Sequence, residues 1–166
     1  MGESMEEEGN AAAAVLPTRA SRVSLREITE DSLGDVLRLS VAENQKCFVA
    51  SNAVSIAQAH FAGDSAWFRA IYADDVPVGF VMLEVDFGKP EYFLWRFMID
   101  ARFQRLGFGR QALALLVEHV RCLPGASELL VSYEPGEGNP GPFYHGYGFV
   151  DDGRFVDGEY ISVLKL

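Results

Sequence analysis

Two glycines and two arginines crowd into seven residues, Gln104-Arg105-Leu106-Gly107-Phe108-Gly109-Arg110. An apolar run ends just before them at Ile99-Asp100, and an amphipathic stretch follows. A strand that gives way to a glycine loop and then a helix leaves unpaired N–H groups at the positive end of the helix dipole, which suits an anion. Glycine there lets the backbone approach the anion and adopt conformations closed to other residues. Charge points the same way: no acid stands between Ala101 and Val117, yet Arg102, Arg105 and Arg110 all do, in a chain of 24 acids against 14 bases. A pyrophosphate-like polyanion would account for that island. The Lys-Ser/Thr pair of ATP- and GTP-binding loops is missing, and the dinucleotide fingerprint needs three glycines where Gln-x-x-Gly-x-Gly has two. On these six residues alone, a phosphate cradle and a turn that uses glycine for packing both remain open.

Other chemistry is thinner. No Gly-x-Ser-x-Gly or comparable nucleophile motif is present, which argues against an acyl-enzyme. His60, His119 and His145 have no partners at metal-ligand spacing, so no metal is expected, and His119 is expected to be exposed. Cys47 and Cys122 read as reduced, structural thiols.

The elements that must position the loop follow from periodicity. Val23–Ile28 is a short β-like run, after which Thr29 can cap a helix carrying Leu33, Val36, Leu37 and Val41. A second helix is expected over 52–61 with Val54, Ala57 and Phe61 on one side, closed by Gly63-Asp64. Trp67–Ala73, Val76–Val85 and Tyr92–Ile99 read as an antiparallel meander turning at Asp74-Asp75 and Gly88-Lys89-Pro90. Arg110–Val120 is amphipathic, with Leu113, Leu116, Val117 and Val120 at helical spacing. Leu129–Ser132 then reads as a parallel strand, because a helix separates it from the strand before. A Gly- and Pro-rich loop leads to a short aromatic segment at 143–147, and two last strands bracket Asp157-Gly158 as a hairpin.

Gln-x-x-Gly-x-Gly resembles motif A of the GCN5-related N-acetyltransferases, and the element order is that of the same superfamily. Asn139-Pro-Gly-Pro-Phe-Tyr-His-Gly-Tyr-Gly-Phe149 is similar to its second signature, an Asn ahead of a short helix that carries a Tyr and ends in Gly-Phe. Phe48-Val-Ala-Ser-Asn52, Ile71-Tyr-Ala-Asp-Asp75, Val78-Gly-Phe-Val-Met82, Leu94-Trp-Arg-Phe-Met-Ile-Asp100 and Val131-Ser-Tyr-Glu-Pro135 look like the bacterial diamine/spermidine N-acetyltransferase branch. The resemblance covers 23–166. It implies an α/β (α+β) fold with a mixed, mostly antiparallel sheet splayed between its fourth and fifth strands and flanked by helices. There are departures. Pro140, Gly141 and Pro142 stand where helix formers are usual, so the short helix is expected to start late or be distorted. Polyamine acetyltransferases of animals carry a Glu on the strand before motif A; aligned on the glycines, Trp95 stands there.

The same resemblance implies acetyl-CoA as co-substrate and direct transfer of its acetyl group to a primary amine. Backbone N–H groups of Gln104, Arg105, Leu106, Gly107, Phe108, Gly109 and Arg110 would hold the pyrophosphate, and main-chain groups of Phe97, Met98 and Ile99 would pair with the pantetheine arm. Tyr144 would be the general acid toward the departing thiolate, the alternative being a core aromatic. Asn139 would bond the cofactor or the Tyr144 loop, the alternative being a turn residue. An amine with a pKa near ~10.4 needs a base or a desolvating pocket at neutral pH. Glu43 and Glu84 are the catalytic candidates, and Asp86, Tyr92 and Trp95 the candidates for an acidic, aromatic amine pocket; each acid could equally be a solvated surface charge. A homodimer is the family's habit.

Composition bounds these readings. With 166 residues, 49% hydrophobic, the chain is long enough for one complete core, expected over 21–166. Residues 1–20, acidic then alanine-rich, read as a disordered tail without the basic start of a secretory signal. No run reaches the ~18 apolar residues of a membrane span, so a soluble, cytoplasmic protein is expected, with no membrane partner. A net charge of −10 argues against nucleic acid as a partner and suits a cationic small molecule or peptide, although acidity also serves solubility. Acetylation of a protein N-terminus or lysine, of an aminoglycoside, and a non-catalytic acetyl-CoA sensor remain alternatives to a polyamine acceptor.

Overall fold

A computed structural model describes residues 15–166. Its order is β1 (Val23–Arg26), α1 (Glu30–Arg38), α2 (Asn52–Ala62), β2 (Ala66–Ala73), β3 (Val76–Asp86), β4 (Glu91–Ile99), α3 (Phe108–Arg121), β5 (Glu128–Tyr133), α4 (Gly141–Tyr147), β6 (Val150–Val156) and β7 (Glu159–Lys165). The seven strands form one mixed sheet in the order β1-β2-β3-β4-β5-β7-β6. Every pairing is antiparallel except β4 with β5.

That parallel pairing is brief. Only Phe93 with Leu130 and Leu94 with Val131 face each other, so β4 loses its second neighbour from Trp95 onward and the sheet splays. A bulge falls at the same place: Met82 pairs with Arg96 and Leu83 with Leu94, leaving Trp95 without a partner on β3. An extra residue reverses the alternation of side chains along a strand. Tyr92 and Leu94 before the bulge, and Phe97 and Ile99 after it, therefore all pack on one side of the sheet, with α3 and α4. Trp95 and Met98 pack on the other side, with Val36, Leu39 and Ala59.

Local chemistry accounts for most element ends. The Thr29 side chain accepts from Ser32 N and the Ser32 hydroxyl from Thr29 N, a capping box that starts α1. Asp157 and Gly158 both have positive φ, 52° and 90°, as the two-residue β6–β7 turn requires. In α3, Leu113, Leu116, Val117 and Val120 are buried with Phe108 and Ala112; truncating a side chain such as Leu116 to Ala would cost about 2–5 kcal/mol. The helix starts at Phe108, two residues before the expected start. Helix α4 begins at Gly141 in spite of the prolines, because Pro142 sits in the first turn, where its missing N–H is no loss.

Three expectations need correction. Helix α2 turns Asn52, Ser55 and Ala59 inward, while Val54 and Phe61 are exposed. Asn52 Nδ2 donates to Val36 O at 2.8 Å, satisfying a C-terminal carbonyl of α1, and that bond fixes which face is buried. His119 is half-buried and stacked on Trp67 with ring centroids 4.2 Å apart; burial, then the Arg69 charge, lowers its pKa. Cys47 and Cys122 are free but exposed, so neither is a packing residue. Of the expected tail, residues 1–14 lie outside the described residues. Residues 15–20 follow a set course, with Pro17 buried and Ser21 N bonded to Thr18 O at 2.9 Å.

Candidate active site

The splay opens a cleft of about 960 Å³ lined by one edge of β4 from Phe93 to Ile99, the 104–110 loop, the loop before α4, and residues 45–50. This is within the usual size of a small-molecule site. The backbone edge of β4 beyond Leu94 has no strand partner there. Of its carbonyls, that of Ile99 accepts from Gln104 Nε2 at 2.9 Å, and the same amide donates to Gln45 Oε1 at 2.7 Å.

At the inner end of the 104–110 loop, Asp100 is buried and organises the turn. It accepts from Ser40 N at 2.9 Å, Arg102 N at 3.0 Å and Arg102 Nε at 2.8 Å. Burial alone would raise its pKa, but these hydrogen bonds and the Arg102 charge hold it below the ordinary value. Arg102 is thereby committed to Asp100. Beyond it the chain takes a left-handed step at Arg105, φ 62°, and another at Gly107, φ 90°, the N-cap of α3. Leu106 packs against the core and Phe108 is buried, while Gln104, Arg105, Gly107, Gly109 and Arg110 line the cleft. The first helical hydrogen bond belongs to Gln111 N. Among the described residues, none of the seven backbone N–H groups from Gln104 to Arg110 donates to protein. That row, at the positive end of a 14-residue helix, is a ready anion cradle. A Cβ at Gly109 would meet Phe143 at no less than 3.4 Å and Ile99 at 3.6 Å, ordinary contacts, so packing does not require a glycine there.

Two cations stand at the cradle besides the backbone. Arg110 Nη1 donates to Gly146 O at 3.1 Å, and Arg105 has no carboxylate partner among the described residues. Arg19 also lines the cleft, and its Nη2 donates to Arg105 O at 3.0 Å. Nothing in the sequence around Arg19 sets it apart from the acidic tail.

Tyr144 lies on α4 and lines the same cleft. Its ring is edge-on to Phe143 and Phe149, and its hydroxyl makes no hydrogen bond to the described residues. It is not sealed off, since Arg96 Nε is the one buried, unpartnered side-chain polar atom among those residues. Burial pushes the Tyr144 phenol well above its ordinary pKa, keeping it protonated. Asn139 also lines the cleft, with its side chain turned to its own loop: Oδ1 accepts from Gly141 N at 2.8 Å.

The acceptor-side residues divide. Glu84 and Trp95 line the cleft; Glu43, Asp86 and Tyr92 do not. Glu43 pairs with Lys46 at 2.6 Å in solvent. Asp86 accepts from Gly88 N and Lys89 N, closing the β3–β4 turn. Tyr92 is buried on the α3 side and donates to Pro124 O at 2.6 Å; three residues apart on one strand, Tyr92 and Trp95 face opposite sides of the sheet. In their stead Glu134 and Glu159 line the cleft with Glu84. Arg96 is there too, its pKa lowered by burial against the opposing effect of Glu159. Tyr133 lines the cleft, its hydroxyl bonded to Asp151 Oδ2 at 2.9 Å, and burial and that carboxylate push it up to about 12. Among the described residues no group of three or more His, Cys, Asp or Glu could hold a metal, and no helix is long and apolar enough to cross a membrane.

With this geometry in place, residues 27–149 match the family model described as "Acetyltransferase (GNAT) family". A "Spermine/spermidine N(1)-acetyltransferase" of Bacillus subtilis (strain 168) is 26% identical over 153 residues, covering 87% of this chain and 99% of that protein. An acetyltransferase from Thermus thermophilus superimposes with a TM-score of 0.68 at 19% identity, over 87% of this chain and 97% of its own. PaiA N-acetyltransferase from Thermoplasma acidophilum, solved in complex with coenzyme A, gives 0.63 at 16% identity, over 87% and 99%. At such identities the two structures speak for the fold.

Proposed function

The chain belongs to the acetyltransferase (GNAT) family, and from that premise we propose that it transfers the acetyl group of acetyl-CoA to a primary amine of a polyamine or diamine. The observation that carries this reading is the run of seven N–H groups without a protein acceptor, opening onto a cleft beside an unpaired strand edge. The residues present suit the co-substrate. Gln104 to Arg110 would hold its pyrophosphate by main-chain N–H groups, with Arg105 and Arg110 adding charge. Phe97 and Ile99, whose main-chain groups alternate with those that Met98 turns toward β3, would bond the pantetheine amides along the free edge of β4, and an N–H of that edge would polarise the thioester carbonyl.

For the acceptor, three features favour a polycation: Glu84, Glu134 and Glu159 line the cleft, the chain carries −10 overall, and the Bacillus relative is named for spermine and spermidine. An amine of pKa ~10.4 is neutral in only about one molecule in 10³ at pH 7, so a base must take its proton. Glu84 is the one expected base that lies in the cleft, and it would act through a water. As the C–N bond forms and the C–S bond breaks, a thiolate leaves. A thiol near ~8.5 is a stronger acid than Tyr144, whose phenol burial raises, so Tyr144 stabilises the thiolate by donating a hydrogen bond. The proton that finally settles on sulfur comes from the attacking nitrogen.

Release of free CoA measured with spermidine, putrescine, a peptide with a free N-terminus and an aminoglycoside tests the assignment. The reading expects the highest kcat/KM for the two polyamines. Preference for the peptide or the aminoglycoside contradicts the acceptor class, and tight acetyl-CoA binding without turnover on any acceptor contradicts catalysis.

A further inference from the structure

We infer that Arg19, which precedes the sheet altogether, is a phosphate-binding residue of the coenzyme site. The inference rests on the acetyl-CoA reading above and adds to it a residue outside the loop and helix of the cradle. Arg19 is not on a loose end. Pro17 before it is buried, and Thr18 to Ser21 form a turn in which Ser21 N donates to Thr18 O at 2.9 Å and Thr18 N to Ser21 Oγ at 3.0 Å. The turn is tied to the β2–β3 connection: Arg22 N donates to Asp74 Oδ1 at 2.9 Å and Asp74 N to Arg22 O at 2.8 Å. Those bonds fix the direction in which Arg19 leaves the backbone.

It leaves toward the cradle. One N–H of its guanidinium donates to Arg105 O at 3.0 Å, at the residue where a non-glycine side chain is held in the left-handed region. A guanidinium has five N–H donors, and this bond uses one. Arg19 makes no ion pair with a carboxylate among the described residues, although acids outnumber bases by ten in the chain. Most other arginines behave differently: Arg26, Arg38, Arg69, Arg102, Arg121 and Arg154 each pair with an acid. Two cations, Arg19 and Arg105, thus line one cleft with unused N–H donors and without a protein counter-ion among those residues. An anion there relieves their repulsion and takes up the unused donors, and the anion of this co-substrate is phosphate.

Calorimetric titration of CoA and of 3′-dephospho-CoA into the full chain, Arg19→Ala and Arg19→Gln tests this. Glutamine keeps part of the aliphatic stem but neither the charge nor the reach of the guanidinium. Arg19→Lys, which keeps the charge on a longer stem, is therefore titrated beside it and should lose the least affinity if the contact is to phosphate rather than mere support of the turn. Arg19→Ala and Arg19→Gln are expected to bind CoA about tenfold more weakly, the effect of one charge-assisted hydrogen bond, with kcat and the acceptor KM unchanged. If the variants bind 3′-dephospho-CoA as well as the parent does, the contact is to the 3′-phosphate. If the loss persists with that analogue, it is to the pyrophosphate. Parent-like CoA affinity in Arg19→Gln overturns the inference while leaving the acetyltransferase reading intact; a parent chain that binds no CoA overturns both.

Discussion

Gln104 Nε2 donates to the carbonyl of Ile99 across 2.9 Å, so the first residue of the cradle is bonded to the last residue of the strand that feeds it. The same amide reaches Gln45 at 2.7 Å and draws the 45–50 segment to the cleft. Gln104→Ala removes both bonds. Its expected effect is a KM for acetyl-CoA raised about tenfold and a stability loss of about 1–2 kcal/mol, read by steady-state kinetics and urea unfolding. An unchanged KM would mean that the loop holds its shape without Gln104.

The two loop glycines should respond with opposite signs in stability. Gly107 has φ 90°, so Gly107→Ala strains the backbone and is expected to cost about 1 kcal/mol. Gly109 lies inside α3 with room for a Cβ, so Gly109→Ala should hold or raise stability by up to ~1 kcal/mol. Affinity for CoA should fall in both, because both glycines line the cleft within the N–H row and a methyl there narrows the approach to it. Thermal unfolding beside CoA titration separates the two effects.

Tyr144→Phe should lower kcat about 10²-fold while leaving CoA affinity nearly unchanged. Because burial raises the phenol above its ordinary value near 10, Tyr144 stays protonated across the assay range and contributes no alkaline limb below about pH 10. A kcat equal to the parent's would remove Tyr144 from the mechanism.

How much of this is legible in the chain follows from which interactions are local. Leu113, Leu116, Val117 and Val120 announce α3 because their spacing is the helix period, and the 104–110 loop announces itself through glycine and charge. Trp95 and Tyr92 read as parts of one pocket, but they stand three residues apart on one strand and plain alternation sets them on opposite faces. The bulge at Trp95 then turns Phe97 and Ile99 to the Tyr92 side, and a bulge leaves no mark in an apolar run. Asp86 and Glu43 read as available acids, yet turn N–H groups and Lys46 claim them. The buried face of α2 depends on one bond from Asn52 to a different helix, and the place of Arg19 on one to a loop 86 residues away. Contacts of that range carry no periodicity.

Asp100 should make the site acid-sensitive. Its folded pKa lies below the unfolded value near ~3.9, so its contribution is fully present above that value and is lost as pH falls through the folded pKa. Asp100→Asn cannot accept the same charge-assisted bonds and is expected to lose about 2–3 kcal/mol at pH 7. The gap between parent and variant should close below about pH 4, in unfolding curves recorded from pH 3 to 7.

The most direct test of the account follows the backbone amide signals of the ¹⁵N-labelled chain as CoA is added. The cradle predicts the largest shifts at Gln104 to Arg110 and along Phe97 to Ile99. Shifts confined to other surfaces, such as the groove between Arg22 and His119, with the 104–110 amides unmoved, would contradict it.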